Sequence, residues 1–490
     1  MARMGRGAGS GVPPAAVMAV VAGLAVIGLI YASATLALPI WMPVAAGVVG
    51  LCVVLGLFLS AYRIASLSIF VLIVFNLATY SFLQGVEGGS TAAYLRLPLL
   101  LGALAMVMRQ SAARFDRLLS RHWDVLLMGA AATVAGAFGL NPRAGLLYGL
   151  WLTLSLVLIV LYLDLVAQTM EPHARVRAVA RLLGASHVPV VLLAVFALPS
   201  YVPGTRLIAL FSESNFHAYA APVVLASLLL LTQRTGPETP KERRQRRYAN
   251  FVAAWLVPLS VIVTVLSGKR SGLLAIAGLL LLYATLLAPR ARTPLHRFAH
   301  TLVAVAGLGI FISYASGSDI VQSRIQRARQ NSAYFGDAAR YQIYQANFQL
   351  WLSRPLVGVG LTNAGDAVTI EKNNEQTNFA PHNTYLGLLS ETGAIGALSF
   401  LILCFRSLGA WRRIPDRRVR RSLVFLAVAP LLISFTEYNL TPGQALFWPL
   451  WLCILLPRMY PERVPAAARS AMRGGARRPP VRLRPEPAAP

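Results

Sequence analysis

Long apolar stretches dominate the chain, and short polar clusters, mostly basic, separate them. A hydrocarbon core about 30 Å thick is crossed by about 20 apolar residues in helical form. Lipid offers no partner for backbone N–H and C=O groups, so each span must satisfy its own as a helix. On this pattern spans begin near Ala15, Pro43, Ser66, Ala92, Asp124, Leu146, Ala178, Ala218, Asn250, Gly272, Thr301, Thr384, Ser422 and Leu446. The second is interrupted by prolines at its start, and the last is short. The predicted fold class is all-α: a polytopic transmembrane helical bundle of about 12–14 spans with one large outer loop between late helices. Residues 1–14 form an arm, 15–314 hold helices 1–11 with short loops, and 315–383 form the outer loop. Residues 384–457 hold helices 12–14, and 458–490 are a basic, proline-rich tail expected to be disordered because it can bury no core. The first apolar run follows Arg3 and Arg6 in the manner of a signal peptide, but no cleavage site separates it from the next span, so it is read as a retained helix.

Charge settles the orientation of this pattern. Of the 490 residues 56% are hydrophobic and 13% charged, and the net charge is +27. Such a charge could suit nucleic acid, but the basic residues sit in short patches between apolar runs, where they anchor loops on the cytoplasmic side and meet membrane lipids. No nucleic-acid partner is expected. With the N-terminus inside, 34 of the 45 lysines and arginines fall on inner segments and 11 on outer ones. Six of those 11 lie in the long outer loop, where the rule is weak. Both termini are therefore placed in the cytoplasm. Cys52, Cys404 and Cys453 each lie inside an apolar run, with no disulfide or zinc spacing, and read as packing residues.

The outer loop is the long soluble stretch, and loops of this length usually carry function. Within it Tyr341, Tyr344, Phe348 and Trp351 fall on one helical face. That face suits either the membrane interface or the roof of the bundle. Pro355 then ends the helix, and Gly358 and Gly360 allow a tight turn or a close backbone approach. The loop closes on His382-Asn383-Thr384-Tyr385, where a new span starts. A histidine at a helix N-terminus feels the positive end of the dipole and is expected to be neutral, able to accept a proton. From the residues alone the favoured reading is a helix-start histidine that hydrogen-bonds within the loop. Glu391 lies about 13 Å deeper at helical rise, where a carboxylate needs a partner. An outer arginine is the expected one.

Three cations stand outside against the general bias. Lys269 and Arg270 occupy the minimal turn Ser267–Gly272, and Arg206 precedes the polar stretch Phe211–Asn215. Their counter-anion could be a lipid headgroup, Glu213 or Glu391, or a phosphorylated substrate, whose oxygens a guanidinium fits well.

The residues Arg340 and Tyr344, Pro355–Gly360, His382–Leu386, Glu391 and the pair Gly393 and Gly396 together resemble the signature segment of the O-antigen ligase and polymerase family. The turn holding Arg270 and the stretch from Arg206 to Asn215 are similar to that family's outer arginine sites. The likeness covers about 60 residues and two short patches. It implies transfer of a glycan from undecaprenyl diphosphate to an acceptor hydroxyl, such as that of lipid A–core, on the periplasmic face of the inner membrane. It implies that Arg206 and Arg270 hold the diphosphate with help from Lys269, and that His382 activates or orients the acceptor. Asn383, Tyr385, Glu391 and Asn215 are expected to support the site. No metal, cofactor or nucleotide sugar is expected, and inversion at the anomeric carbon follows. The doubled cation Lys269-Arg270 departs from the pattern, as does the modest outer loop; the lack of a large soluble module after the last span argues against the protein-glycosylating branch. A ligase is favoured over a polymerase using the same carrier. A lipid-linked glycan transporter is the reading from another class, and it would require charges paired within the spans.

Overall fold

The computed structural model describes residues 60–82, 100–105, 107, 120–196, 215–233, 240–267, 269–287, 337–372, 375–378, 381–440, 444 and 446–460. The spans expected near Ala15, Pro43 and Thr301 lie outside these residues, as do the start of the Ala92 span, Arg206 and residues 461–490. The described helices are α1 (Ala61–Phe82), α2 (Trp123–Ala137), α3 (Pro142–Thr169), α4 (Pro172–Phe196), α5 (Asn215–Thr232), α6 (Pro240–Ser267) and α7 (Arg270–Leu282). After the outer segment begins come α8 (Asp337–Ser353), the short α9 (Asn363–Ala367), α10 (Thr384–Arg412), α11 (Arg417–Ser434) and α12 (Phe447–Leu455).

Among the described residues four helices are by themselves long and apolar enough to cross a membrane, at Pro142–Thr169, Pro172–Val195, Glu242–Ser267 and Thr384–Arg412, and shorter apolar helices pack between them. The chain is an all-α polytopic membrane protein. Inside the outer segment it also carries a small antiparallel hairpin, β1 (Thr369–Lys372) and β2 (Glu375–Asn378), with Thr369 opposite Asn378 and Lys372 opposite Glu375. Helix starts follow local chemistry. Asn141 accepts from the Ala144 N–H with Pro142 in the first turn of α3, and Asp416 accepts from Arg418 N–H at the start of α11.

Helix α10 is not one continuous span. Gly393 has φ 63° and ψ −166°, a conformation only glycine adopts at low cost. The chain from Pro355 to Gly360 inserts into the helix's own hydrogen-bond ladder at this point. In an unbroken helix Ala394 and Ile395 would donate to Ser390 and Glu391. Here Val359 N–H donates to Ser390 C=O at 3.0 Å and Gly360 N–H to Glu391 C=O at 2.9 Å. In return Ala394 N–H donates to Pro355 C=O at 2.8 Å and Ile395 N–H to Leu356 C=O at 3.1 Å. Two ladder bonds are replaced by four inter-segment bonds, so the four groups displaced from the ladder are each bonded again. The approach is so close that a Cβ on Gly358 would lie 2.5 Å from the Glu391 carbonyl carbon, and one on Gly393 would lie 2.3 Å from Leu356 O. The inserted loop in turn holds the tip of the α2–α3 hairpin: Leu140 N–H donates to Val359 C=O at 2.9 Å, and Arg354 Nη1 to Phe138 C=O at 2.9 Å.

The other end of α10 is closed by a buried ion pair. Arg458 donates to both oxygens of Asp124, at 2.9 and 2.5 Å, to Ser407 Oγ at 2.9 Å and to Leu403 C=O at 2.8 Å. Four of the five N–H donors of the guanidinium are thus used, which is what makes a buried charge tolerable. Arg458 opens the segment expected to be tail, yet it is buried and sits in a 3-10 turn, Leu456–Met459, with Tyr460 donating to Pro172 C=O at 2.9 Å. Residues 458–460 therefore belong to the bundle, because this arginine found a carboxylate 334 residues earlier in the chain.

Gly393→Ala is expected to lower stability by at least about 1–3 kcal/mol from backbone strain alone, with the clash against Leu356 added. Asp124→Ala strands the Arg458 charge and is expected to cost about 3–5 kcal/mol. Thermal unfolding of the detergent-purified protein measures both, and a wild-type Tm in either variant contradicts the corresponding contact.

Candidate functional site

The end of the bundle where α10 begins gathers residues from five separate stretches of chain. His382 precedes α10 with φ 49°, in the left-handed region. A non-glycine residue there carries strain of about 1–3 kcal/mol and persists only when its surroundings over-determine it. Those surroundings are visible. The His382 carbonyl accepts from the Tyr344 hydroxyl of α8 at 3.4 Å. The next residue, Asn383, caps α10 by accepting from Tyr385 and Leu386 N–H at 2.9 and 3.0 Å, and its amide donates to Phe435 C=O at 2.9 Å. Thr384 Oγ1 donates to Glu437 C=O at 2.7 Å and accepts from Asn439 N–H at 2.9 Å. The link between α11 and α12 is therefore laced onto the first turn of α10.

This lacing places a carboxylate against the histidine. Glu437 Oε2 lies 3.6 Å from His382 Nδ1, with the histidine side chain 37% exposed and the glutamate side chain 11%. Burial pushes the Glu437 carboxyl up, but the facing His382 ring, the Lys269 ammonium and the Tyr219 hydroxyl outweigh it and hold the group below the usual carboxylate range. Glu437 is therefore ionised at neutral pH. Tyr219, from α5, faces both Glu437 and Ser271, with the Arg340 charge of α8 nearby. Five elements thus meet here: the first part of α5, the Lys269–Ser271 turn opening α7, the first half of α8, the His382 loop and the segment after α11.

One turn deeper, Tyr438 donates a short hydrogen bond to Glu391 Oε2. Burial and this carboxylate push the Tyr438 phenol well up, so it stays a donor. Ser390 beside it donates to Asn347 Oδ1 of α8 at 3.1 Å. The α8 helix buries Ile343 and Asn347 and leaves Tyr341 and Phe348 exposed, at 68% and 44%. It thus packs on the bundle by one face and offers aromatics outward by another, joining both readings of its pattern.

Of the residues singled out from the sequence, His382, Asn383, Tyr385, Glu391 and Lys269 lie at this end. Tyr385 is held between Phe435 and Phe400, at ring-centroid distances of 4.7 and 6.2 Å. Arg270 and Asn215 are the first residues of α7 and α5, so their backbones stand at the same end as Lys269 and Tyr219. Arg206 lies outside the described residues. Glu391 accepts from Tyr438, a partner not foreseen from the sequence. Sequence reading missed Glu437, Tyr438 and Tyr219. A signal for the first existed: Thr436-Glu437-Tyr438-Asn439 puts a carboxylate between two apolar runs, at the end opposite the arginines of 412–421.

The site thus holds an exposed imidazole backed by an ionised carboxylate, with cations beside them. Such a group can take a proton from a hydroxyl and face an anion at once. Because the folded Glu437 pKa is depressed, its contribution to stability is complete above the ordinary value of 4.5 and is lost as pH falls through the lower folded value. Glu437→Gln is expected to flatten the fall of Tm below about pH 5, read by thermal unfolding across an acid pH series. An identical acid slope in the variant removes the ionised-carboxylate assignment.

No curated protein matches the chain. A family model described as O-antigen ligase matches residues 255–401. The match runs from α6 through Lys269, Arg270, α8, the inserted Pro355–Gly360 loop and His382 to the second half of α10, whereas Tyr219 and Glu437 lie outside it. Over residues 255–401 this membrane protein is therefore similar to the O-antigen ligase family.

Proposed function

We propose that the protein is a metal-independent, inverting glycosyltransferase of the ligase type, which moves a glycan from undecaprenyl diphosphate to a hydroxyl of lipid A–core on the periplasmic face of the inner membrane. The observation that carries this reading is the His382–Glu437 pair, exposed on one side and set beside Lys269 at one end of the bundle. The family match adds the class of donor.

In this reading Glu437 faces Nδ1 of His382 and so keeps the proton on that nitrogen, leaving Nε2 as the acceptor. Nε2 takes the acceptor hydroxyl's proton as its oxygen attacks the anomeric carbon. The bond from that carbon to the diphosphate breaks on the opposite face, and the lipid diphosphate leaves with the electron pair. Its developing charge is met by Lys269, Arg270 and Arg206. The diphosphate is already a good leaving group, so the protein's work is to position and to remove one proton. The strained backbone of His382 is consistent with a side chain held for chemistry rather than for packing. Asn383 fixes the helix start from which the ring projects, and Tyr385 wedges that turn against Phe435.

The test is transfer in vitro from purified undecaprenyl-diphosphate glycan to lipid A–core without added divalent metal. His382→Ala is expected to lower kcat by about 10²–10⁴-fold with the protein still folded. Glu437→Gln is expected to give a smaller loss, also in kcat, whereas Lys269→Ala is expected to raise KM for the lipid-linked donor. Full transfer by His382→Ala overturns the assignment. Elongation of the donor's own glycan, with none passed to lipid A–core, identifies a polymerase instead.

A further inference from the structure

At the end of the bundle away from His382, α10 and α11 diverge and leave an apolar groove of about 450 Å³, floored by α12. Phe405 and Leu408 of α10 and Val424 and Val428 of α11 form its walls, with Cys453 of α12 below. Phe405 is 67% exposed and Leu408 39%. The volume falls in the range of about 300–1,000 Å³ typical of small-molecule sites. The walls offer almost no polar group, so what fills the groove there is hydrocarbon.

The mouth of the groove has a different character. Helical spacing carries the Leu408 face on to Arg412, four residues later, and the Val424 face back to Arg420 and Arg421, four and three residues earlier. Arg412 and Arg421 are exposed and Arg420 is half-buried. Among the described residues none of the three forms a side-chain hydrogen bond or an ion pair, in contrast to His173 and Asp416 close by, which pair at 3.4 Å. An apolar slot ending in three such cations matches one kind of molecule: an amphiphile with a hydrocarbon chain and an anionic head. A soluble anion would leave the slot empty, and a neutral lipid would leave the arginines without a partner.

We infer that this groove binds an anionic phospholipid, one acyl chain lying between α10 and α11 and the phosphate meeting Arg412, Arg420 and Arg421. The site is separate from the proposed glycan chemistry, which lies at the opposite end of α10. It has a mechanical consequence all the same. Helix α10 begins next to His382 and α11 ends next to Glu437, so a wedge at their other ends sets the angle at which the two helices approach the pair.

Native mass spectrometry of the purified full chain tests the inference, with phosphatidylglycerol and phosphatidylethanolamine of identical acyl chains as probes. One phosphatidylglycerol is expected to be retained in preference, and the triple variant Arg412→Gln, Arg420→Gln, Arg421→Gln is expected to lose the preference, by roughly fivefold for each arginine. Ala427→Phe, which fills the groove, is expected to lower retention of both lipids. Because the filled variant could misfold, a phosphatidylglycerol with a photoreactive acyl tail supplies a second reading on the wild type, and its cross-links are expected on the peptides holding Phe405, Leu408 or Val424. Equal retention of the two headgroups by the wild type, unchanged preference in the arginine variant, cross-links elsewhere, or displacement by equimolar undecaprenyl phosphate each overturns the assignment.

Discussion

Four backbone hydrogen bonds, made where the Pro355–Gly360 loop enters the ladder of α10, position most of what matters in this protein. An N–H or C=O left open away from water costs several kcal/mol, so a break in a membrane helix survives only if other groups close it. Here the loop bonds the four displaced groups, and the exchange fixes the loop, the short first part of α10 and the tip of the α2–α3 hairpin as one unit. Glycine is required on both partners. Gly393 makes the turn, and Gly358 lets the two backbones lie closer than any side chain would permit.

Breaking the helix frees its first nine residues to take a direction of their own. The segment between α11 and α12 then reads both ends of that short piece. Glu437 turns to His382 at its start, and the adjacent Tyr438 turns to Glu391 near its end. Glu437 still bonds back to Ile433 at the end of α11 and Tyr438 is the first residue beyond that turn, so one short strap serves two contacts at different depths. The hydroxyl of Thr384 and the amides of Asn383 and Asn439 hold the strap in register.

The far end of α10 is governed by charge instead of backbone. Asp124 and Arg458 tie α2, α10 and the turn after α12 together in a buried pair with four of the five guanidinium donors used. Arg175 adds bonds to the carbonyls of Ala167, Met170 and Met459, at 2.7, 2.9 and 2.7 Å, which fasten the same turn to α4. One end of the bundle is thus fastened by ion pairs and arginine forks, while the other carries strained backbone and a half-exposed histidine. That division of labour lets strain persist at the site, because stability is supplied elsewhere.

Local pattern was enough for the described spans, since about twenty apolar residues in lipid have one low-energy backbone and the residues that cap it act over three or four positions. It was also enough for His382, Asn383 and Lys269 as residues of interest, because each stands at a helix boundary or against the charge bias. Helix continuity through Gly393 was not legible: a glycine inside an apolar run looks the same whether it packs or turns, and the loop that decides the matter lies more than thirty residues earlier. Nor was the pairing of Glu437 with His382, of Tyr438 with Glu391, or of Asp124 with Arg458. Each of these joins residues from 47 to 334 positions apart. Burial makes such partners necessary, and only the packing of the helices selects which ones meet.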